Sequence, residues 1–111
     1  MAEEQDYDLI TTVVEQGEAD RVVRAALEAG APGATILDGR GTGVRQRLGA
    51  LGWTIKPEKE IILIVTPREI TDAVFQTLVK AARLEESGRG FAYVHEVSKA
   101  AGFPYYLQSQ L

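Results

Sequence analysis

The sequence predicts an α+β domain: four strands in one antiparallel sheet, with two helices lying on one of its faces. Stretches carrying β-branched or aromatic residues and bounded by turn signals occur four times, over residues 7–15, 33–38, 60–66 and 91–97. Two stretches with apolar residues every three or four positions fall between them, giving the order β-α-β, β-α-β. Right-handed crossovers in each half bring both helices to the same side of the sheet. The result is the split βαβ, or ferredoxin-like, arrangement.

The elements follow in order. "YDLITTVVE" is the first strand. "GEADRVVRAALEAG" then sets Ala19, Val22, Val23, Ala26 and Leu27 on one helical face. Glu18 and Asp20 sit in its first turn, where the helix dipole favours anions, and Gly30 suits its C-terminal stop. "GATILD" is the second strand, and a loop over residues 39–58 follows, carrying Trp53. "EIILIVT" is the third strand. Thr66, Pro67 and Glu69 read as a capping box with proline at the first helical position. That helix runs to about Leu84, with Ile70, Ala73, Val74, Leu78 and Ala81 turned inward. "EESGRG" is a glycine-rich turn and "FAYVHEV" the fourth strand. The aromatics Phe103, Tyr105 and Tyr106 in the tail, residues 98–111, suggest a segment that docks.

Two consequences bear on function. The third strand is apolar on both pleat faces, and the first sets Leu9 and Val13 opposite Ile10 and Val14. Two helices cover one face only, so the other face calls for burial against another copy of the chain. The topology also gathers the end of the second strand and the starts of the third and fourth at one rim. The two glycine clusters, at 39–43 and 88–90, both belong to that rim.

Composition narrows the classes. A chain of 111 residues and 12.1 kDa, with 45% hydrophobic and 25% charged residues, is expected to form one domain over residues 1–111. A net charge of -4 and a pI near 5.0 argue against a general nucleic-acid binder. The absence of cysteine removes disulfides, thiolate catalysis and Cys-ligated zinc. The acidic start "MAEEQDYD" is no signal peptide, and no run of 18 apolar residues exists, so the expected location is cytoplasmic.

The chemistry-bearing residues are few. "GTGVRQ" has Gln46 where a dinucleotide fingerprint needs its third glycine, and no Gly-Lys-Ser/Thr follows as in a Walker loop. The general logic remains that glycine admits backbone amides to an anion while Arg40, Arg45 or Arg89 supplies charge. A plain flexible connection is the competing reading. His95 stands alone inside a strand and reads as a sheet residue rather than a metal ligand or base. The acidic pairs Glu3–Glu4 and Glu85–Glu86 read as solvated ends and turns. Trp53 is either an anchor for its own loop or a docking residue for a partner. No constellation calls for catalysis, so no catalytic or metal residues are assigned.

The order "VVRAALEAG", "GATILDGRGTG", "KEIILIVTP", "SGRGFAYVHEV" resembles the PII signal-transduction family over about residues 8–97. The resemblance implies compact homotrimers of ferredoxin-like subunits. It also implies adenine nucleotides bound between subunits, and a long loop that docks onto transporters, enzymes or transcription factors. Thr35, Gly41 and Gly43 match the second strand and the base of that loop. Lys59 and Val65 match positions of the third strand, and Gly88 and Gly90 match the turn that wraps phosphates.

This sequence also departs from the family pattern. Phe91 stands where the family has a phosphate-binding lysine, and Gly102 and Pro104 stand where it has two arginines. Arg45 replaces a glutamine that helps hold magnesium and 2-oxoglutarate. The loop is short and has no tyrosine to accept a uridylyl group.

A divergent PII-like member is thus expected: a non-enzymatic regulator, possible effectors ATP, ADP or AMP, acting in nitrogen or carbon metabolism. Its nucleotide site comprises Thr35, Gly41, Gly43, Arg45, Lys59, Val65, Gly88, Arg89 and Gly90. Trp53 faces the target, a transporter or an enzyme. The alternatives are an amino-acid-binding or metal-binding regulatory module on the same fold.

Overall fold

The computed structural model describes residues 6–41 and 58–102. Six elements run in the order β1 (Tyr7–Glu15), α1 (Ala19–Glu28), β2 (Thr35–Arg40), β3 (Glu58–Pro67), α2 (Arg68–Ala81) and β4 (Gly90–Val97). The strands form one sheet in the order β2-β3-β1-β4, every neighbouring pair antiparallel. This is the expected ferredoxin-like βαββαβ fold, with both helices on one face.

Strand alternation divides the sheet into two unlike faces. Ile10, Val14, Ile62 and Ile64 point toward the helices and join Val22, Ala26, Val74 and Leu78 in the core, each almost wholly excluded from solvent. The odd-numbered residues of β1 and β3 point the other way. There Leu9 pairs with Val65, Thr11 with Leu63 and Val13 with Ile61. Leu37 of β2 and Phe91 and Tyr93 of β4 extend this second face, and they remain 46%, 55% and 49% exposed. The third strand is therefore apolar on both sides, as expected, and among the described residues only one side is covered by helices.

Local structure departs from expectation in four places. β2 begins two residues late and extends through Gly39 and Arg40, which pair with Lys59 and Glu58 instead of starting a loop. The helices contact β1 and β3 and pack little against β2. Leu27 on α1 and Ile36 on β2 are consequently exposed, where Leu27 had been expected inward. Ala73 is exposed as well, on the fringe of the α2 stripe made by Thr71, Val74 and Leu78.

The third and fourth departures lie at the ends of α2. Pro67 is its N-cap, in an extended conformation, and no side chain caps the helix, so the Thr66–Glu69 capping box does not form. The Thr66 hydroxyl turns to Thr71 instead. The helix stops at Ala81, short of Leu84. Leu84 N–H donates to the Val79 carbonyl and Arg83 N–H to that of Lys80, with Arg83 in the left-handed region at φ 56°. This is a Schellman closure. α1 closes the same way, through Ala31 to Ala26 and Gly30 to Leu27, with Gly30 at φ 112°.

Candidate functional site

The rim is assembled by strand ends. Gly39, Lys59 and Glu15 occupy one row across β2, β3 and β1, and Gly90 enters the adjoining row opposite Val14. Both glycine segments thus reach the same end of the sheet. They occupy opposite corners of it, however, because β2 and β4 are the two edge strands. Three strand spacings separate them, about 14 Å.

The second glycine segment has a firm geometric requirement. Gly88 and Gly90 have φ of 82° and 147°, and a Cβ on Gly90 would lie 2.0 Å from the Val13 carbonyl oxygen. Only glycine permits β4 to start so close to β1. Arg89 between them holds Glu86 at 3.2 Å. Phe91 follows, its ring stacked on Tyr93, with centroids 6.1 Å apart and planes 15° apart.

Of the nine nucleotide-site residues expected from the sequence, Gly41 and Lys59 fall at the β2–β3 corner and Gly88, Arg89 and Gly90 at the β4 corner. Thr35 and Val65 lie elsewhere. Each is six residues along its strand from Gly41 or Lys59, about 20 Å at strand rise. Both face the side of the sheet away from the helices. Gly43, Arg45 and Trp53 lie outside the described residues, as do positions 42–57 of the expected mobile loop. The described members of the set do not converge on a single pocket within one chain.

Two polar clusters escaped the sequence reading. At the rim, the Glu60 carboxylate accepts from the backbone N–H of Gly17 at 3.0 Å and of Ala19 at 2.9 Å. It serves the α1 N-terminus, where the Glu18 side chain makes no cap bond. The Gln16 N–H also donates to the Glu58 carbonyl, so the root of β3 is tied to the β1–α1 turn. Arg21 joins the two helices by donating to the Ala81 carbonyl at 2.6 Å and pairing with Glu18.

The second cluster lies at the other end of the sheet. Asp8 is buried and accepts from the Thr71 hydroxyl at 2.7 Å and from Arg68 Nη2 at 3.1 Å. Since Thr71 commits its proton to Asp8, Thr66 donates to Thr71 in the 2.7 Å contact between their hydroxyls. Burial alone would raise the Asp8 carboxyl, but the Thr71 and Arg68 hydrogen bonds and the Arg68 charge outweigh it. The carboxyl is held below its ordinary value, and Arg68 is raised mainly by its bond to Asp8. This network joins β1 to the start of α2. A buried Asp within an apolar strand was the only sequence signal for it.

Among the described residues no three His, Asp or Glu side chains are grouped to hold a metal ion. No helix among them is long and apolar enough to cross a membrane.

Comparison with known proteins supplies the family. The model of the nitrogen regulatory protein P-II family matches residues 7–103. A crystal structure of Arabidopsis thaliana PII bound to citrate is 25% identical and superimposes with a TM-score of 0.66, covering 86% of this chain and 80% of that one. A Bacillus cereus protein related to NIF3 superimposes with a TM-score of 0.69 over 88% of this chain. At 20% identity, and with 27% of its length covered, it shares the fold alone. No curated protein sequence matches the chain.

Proposed function

The chain belongs to the nitrogen regulatory protein P-II family, and on that footing we propose that it is a trimeric, non-enzymatic regulator that binds an adenine nucleotide between its subunits. The observation that carries this reading is the placement of the two glycine segments. They share one rim but stand at opposite corners of the sheet, too far apart for one phosphate group to touch both in one chain. Side-by-side copies would bring the β2 corner of one subunit against the β4 corner of the next. The uncovered apolar face, with Leu37, Phe91 and Tyr93 largely exposed, supplies the driving surface for such packing.

In this arrangement a nucleotide would lie along the open side of β2 and β3. Its phosphates would meet the amides of Gly41 and Gly43, and its sugar and base would run back along the strands in the direction of Thr35 and Val65. Lys59 and Arg45 would supply charge there, and Gly88, Arg89 and Gly90 of the neighbouring subunit would close the site. Arg89 would exchange Glu86 for phosphate. With Phe91 in place of a lysine the site holds fewer fixed cations, so ADP and AMP would compete well with ATP. Occupancy would alter the order of residues 41–57, and through Trp53 their hold on a target, either a transporter or an enzyme.

Calorimetry of the chain with ATP, ADP, AMP, cyclic dinucleotides, 2-oxoglutarate and citrate tests this. At least one adenine nucleotide should bind. Arg45→Ala and Arg89→Ala should each weaken it ten- to a hundredfold, the worth of a charge-assisted bond of about 1.5–3 kcal/mol. If no adenine nucleotide binds at millimolar concentration, the reading fails. Binding of 2-oxoglutarate or citrate alone would favour an organic-acid sensor.

A further inference from the structure

His95 is the chain's single histidine, and it sits two residues before the end of β4 on the face that the helices leave open. It lies in register with Leu9 of β1, and its ring is 5.9 Å from that of Tyr93, which in turn stacks on Phe91. Three rings at alternate positions thus make a ladder along the edge of an otherwise apolar surface, and the imidazole is one rung of it. We propose that protonation of His95 opens the assembly formed through this face, so that the protein is a proton-sensitive oligomer. The proposal rests on the reading of the open face as the contact between copies.

The surroundings of His95 decide the direction of the effect. On the open face, the ionisable side chains beside it are the phenols of Tyr7 on β1 and Tyr93 on β4. The other flanking residues of that face are Leu9 and Val97. Asp8 of β1 and Glu96 of β4 alternate to the helix side, where Arg68 of α2 holds Asp8. Glu15 and Lys59 do face the open side, but they form one row at the far end of the sheet, six and more residues along the strands. Among the described residues of its own chain, then, no carboxylate of this face stands beside the imidazole, since Glu15 lies six residues along the strand from its partner Leu9.

A second copy laid on the face removes water from the ring. Neutral imidazole tolerates that, particularly stacked on Tyr93, whereas the cation loses hydration without gaining a partner. The sign follows by linkage. Assembly favours the neutral form, so its stability is full above the pH at which the free imidazole titrates, about 6.5, and falls as pH drops below that. The association constant should fall up to about tenfold per pH unit for each subunit whose ring is buried. Dissociation would uncover Phe91 and Tyr93 together with any site completed between subunits, so acidification would release an effector bound there.

The test is sedimentation velocity of the full chain between pH 8 and pH 5, with far-UV circular dichroism at each pH. His95→Phe keeps an aromatic rung without a proton to gain, and His95→Lys fixes a charge there. The expected result is an oligomer at pH 8 that dissociates below about pH 6.5 with its secondary structure intact. His95→Phe should stay assembled throughout, and His95→Lys should be dissociated at pH 8. An unchanged wild-type mass down to pH 5 would overturn the proposal while leaving the oligomer reading standing. Equal acid sensitivity in His95→Phe, or loss of circular dichroism in step with mass, would overturn it too. A wild type that is monomeric at pH 8 would defeat the oligomer reading itself.

Discussion

The two faces of the sheet are built from the same strands and nearly the same residue types, yet they have opposite fates. Ile62 and Ile64 point toward the helices and are almost fully excluded from solvent, while Ile61, Leu63 and Val65, one residue out of phase, are only partly covered. Strand alternation makes each face as apolar as the other along β3. The covered face is closed by groups of the same chain, so its apolar residues stabilise the folded subunit directly. The open face holds Leu9, Val13, Leu37, Phe91 and Tyr93, with no helix above them among the described residues. Among the described residues nothing closes over them, so part of their hydrophobic stabilisation is left unrealised. An apolar strand therefore predicts burial without saying whether a helix or another subunit provides it.

The sharpest way to break the comparison uses two adjacent residues. Ile64→Ala removes a fully buried side chain from the core and should cost about 2–5 kcal/mol of folding stability. Leu63→Ala, on the other face, should leave the unfolding free energy of the isolated subunit nearly unchanged and weaken self-association instead. Denaturant unfolding and sedimentation on both variants separate the two effects. A large loss of subunit stability in Leu63→Ala would show that its face is already closed within one chain.

The covered face also contains a polar seam, and this is the next largest effect. Thr71 donates to Asp8 and accepts from Thr66, all three buried. Thr71→Val should cost about 1–3 kcal/mol by stranding two polar groups. Because the carboxyl of Asp8 is held below its ordinary value of 3.8, its charged form stabilises the native state above that pH. The contribution is lost as pH falls through the lowered native value. Asp8→Asn should therefore flatten the acid limb of stability below about pH 4. Chemical denaturation at pH 7, 5, 4 and 3 reads this directly. A slope unchanged by the substitution would remove Asp8 from the account.

Much of the fold could be read from the residues, and what could not has a common cause. Periodicity locates β1 and both helices because their apolar spacing is local. Glu60 capping α1 and Arg68 reaching Asp8 join residues 41 to 60 positions apart, and no window of sequence holds both partners. Gly39 and Arg40 looked like the start of a loop because glycine is a poor strand former. Cross-strand pairing with Lys59 and Glu58 overrides that preference. The candidate site was legible as two glycine segments on one rim. Their separation to opposite corners follows from strand order, which no local window of sequence carries. Gly43, Arg45 and Trp53 lie outside the described residues.

A smaller effect sharpens the contrast within the core. Thr12 projects between Ile10 and Val14 on the covered face, is fully buried, and its hydroxyl has no hydrogen-bond partner among the described residues. Thr12→Val has nearly the same shape and removes the unsatisfied group, so it should raise stability by about 1–2 kcal/mol. Thermal unfolding would show the gain. A loss would mean that the hydroxyl is satisfied in solution, most simply by an internal water.

The smallest expected effect concerns the helix layer that covers this face, and it contrasts two ends of like design. α1 and α2 close with equivalent pairs of backbone bonds, but the left-handed position is Gly30 in one and Arg83 in the other. A side chain at φ 56° crowds the following carbonyl, at a cost of roughly 1 kcal/mol that glycine avoids. Arg83 is exposed and makes no ion pair among the described residues, so no lost contact offsets the relief. Glycine has its own cost, since it loosens the unfolded chain, and this trims the gain. Arg83→Gly should therefore stabilise the subunit by a few tenths of a kcal/mol up to about 1 kcal/mol. The reverse change, Gly30→Arg, should destabilise it by at least as much, because φ 112° is a backbone conformation that side chains rarely adopt. Denaturant midpoints for the two variants give the comparison. If Arg83→Gly destabilises, the left-handed turn is held by an interaction of the arginine itself, and the symmetry between the two helix ends is only one of backbone form.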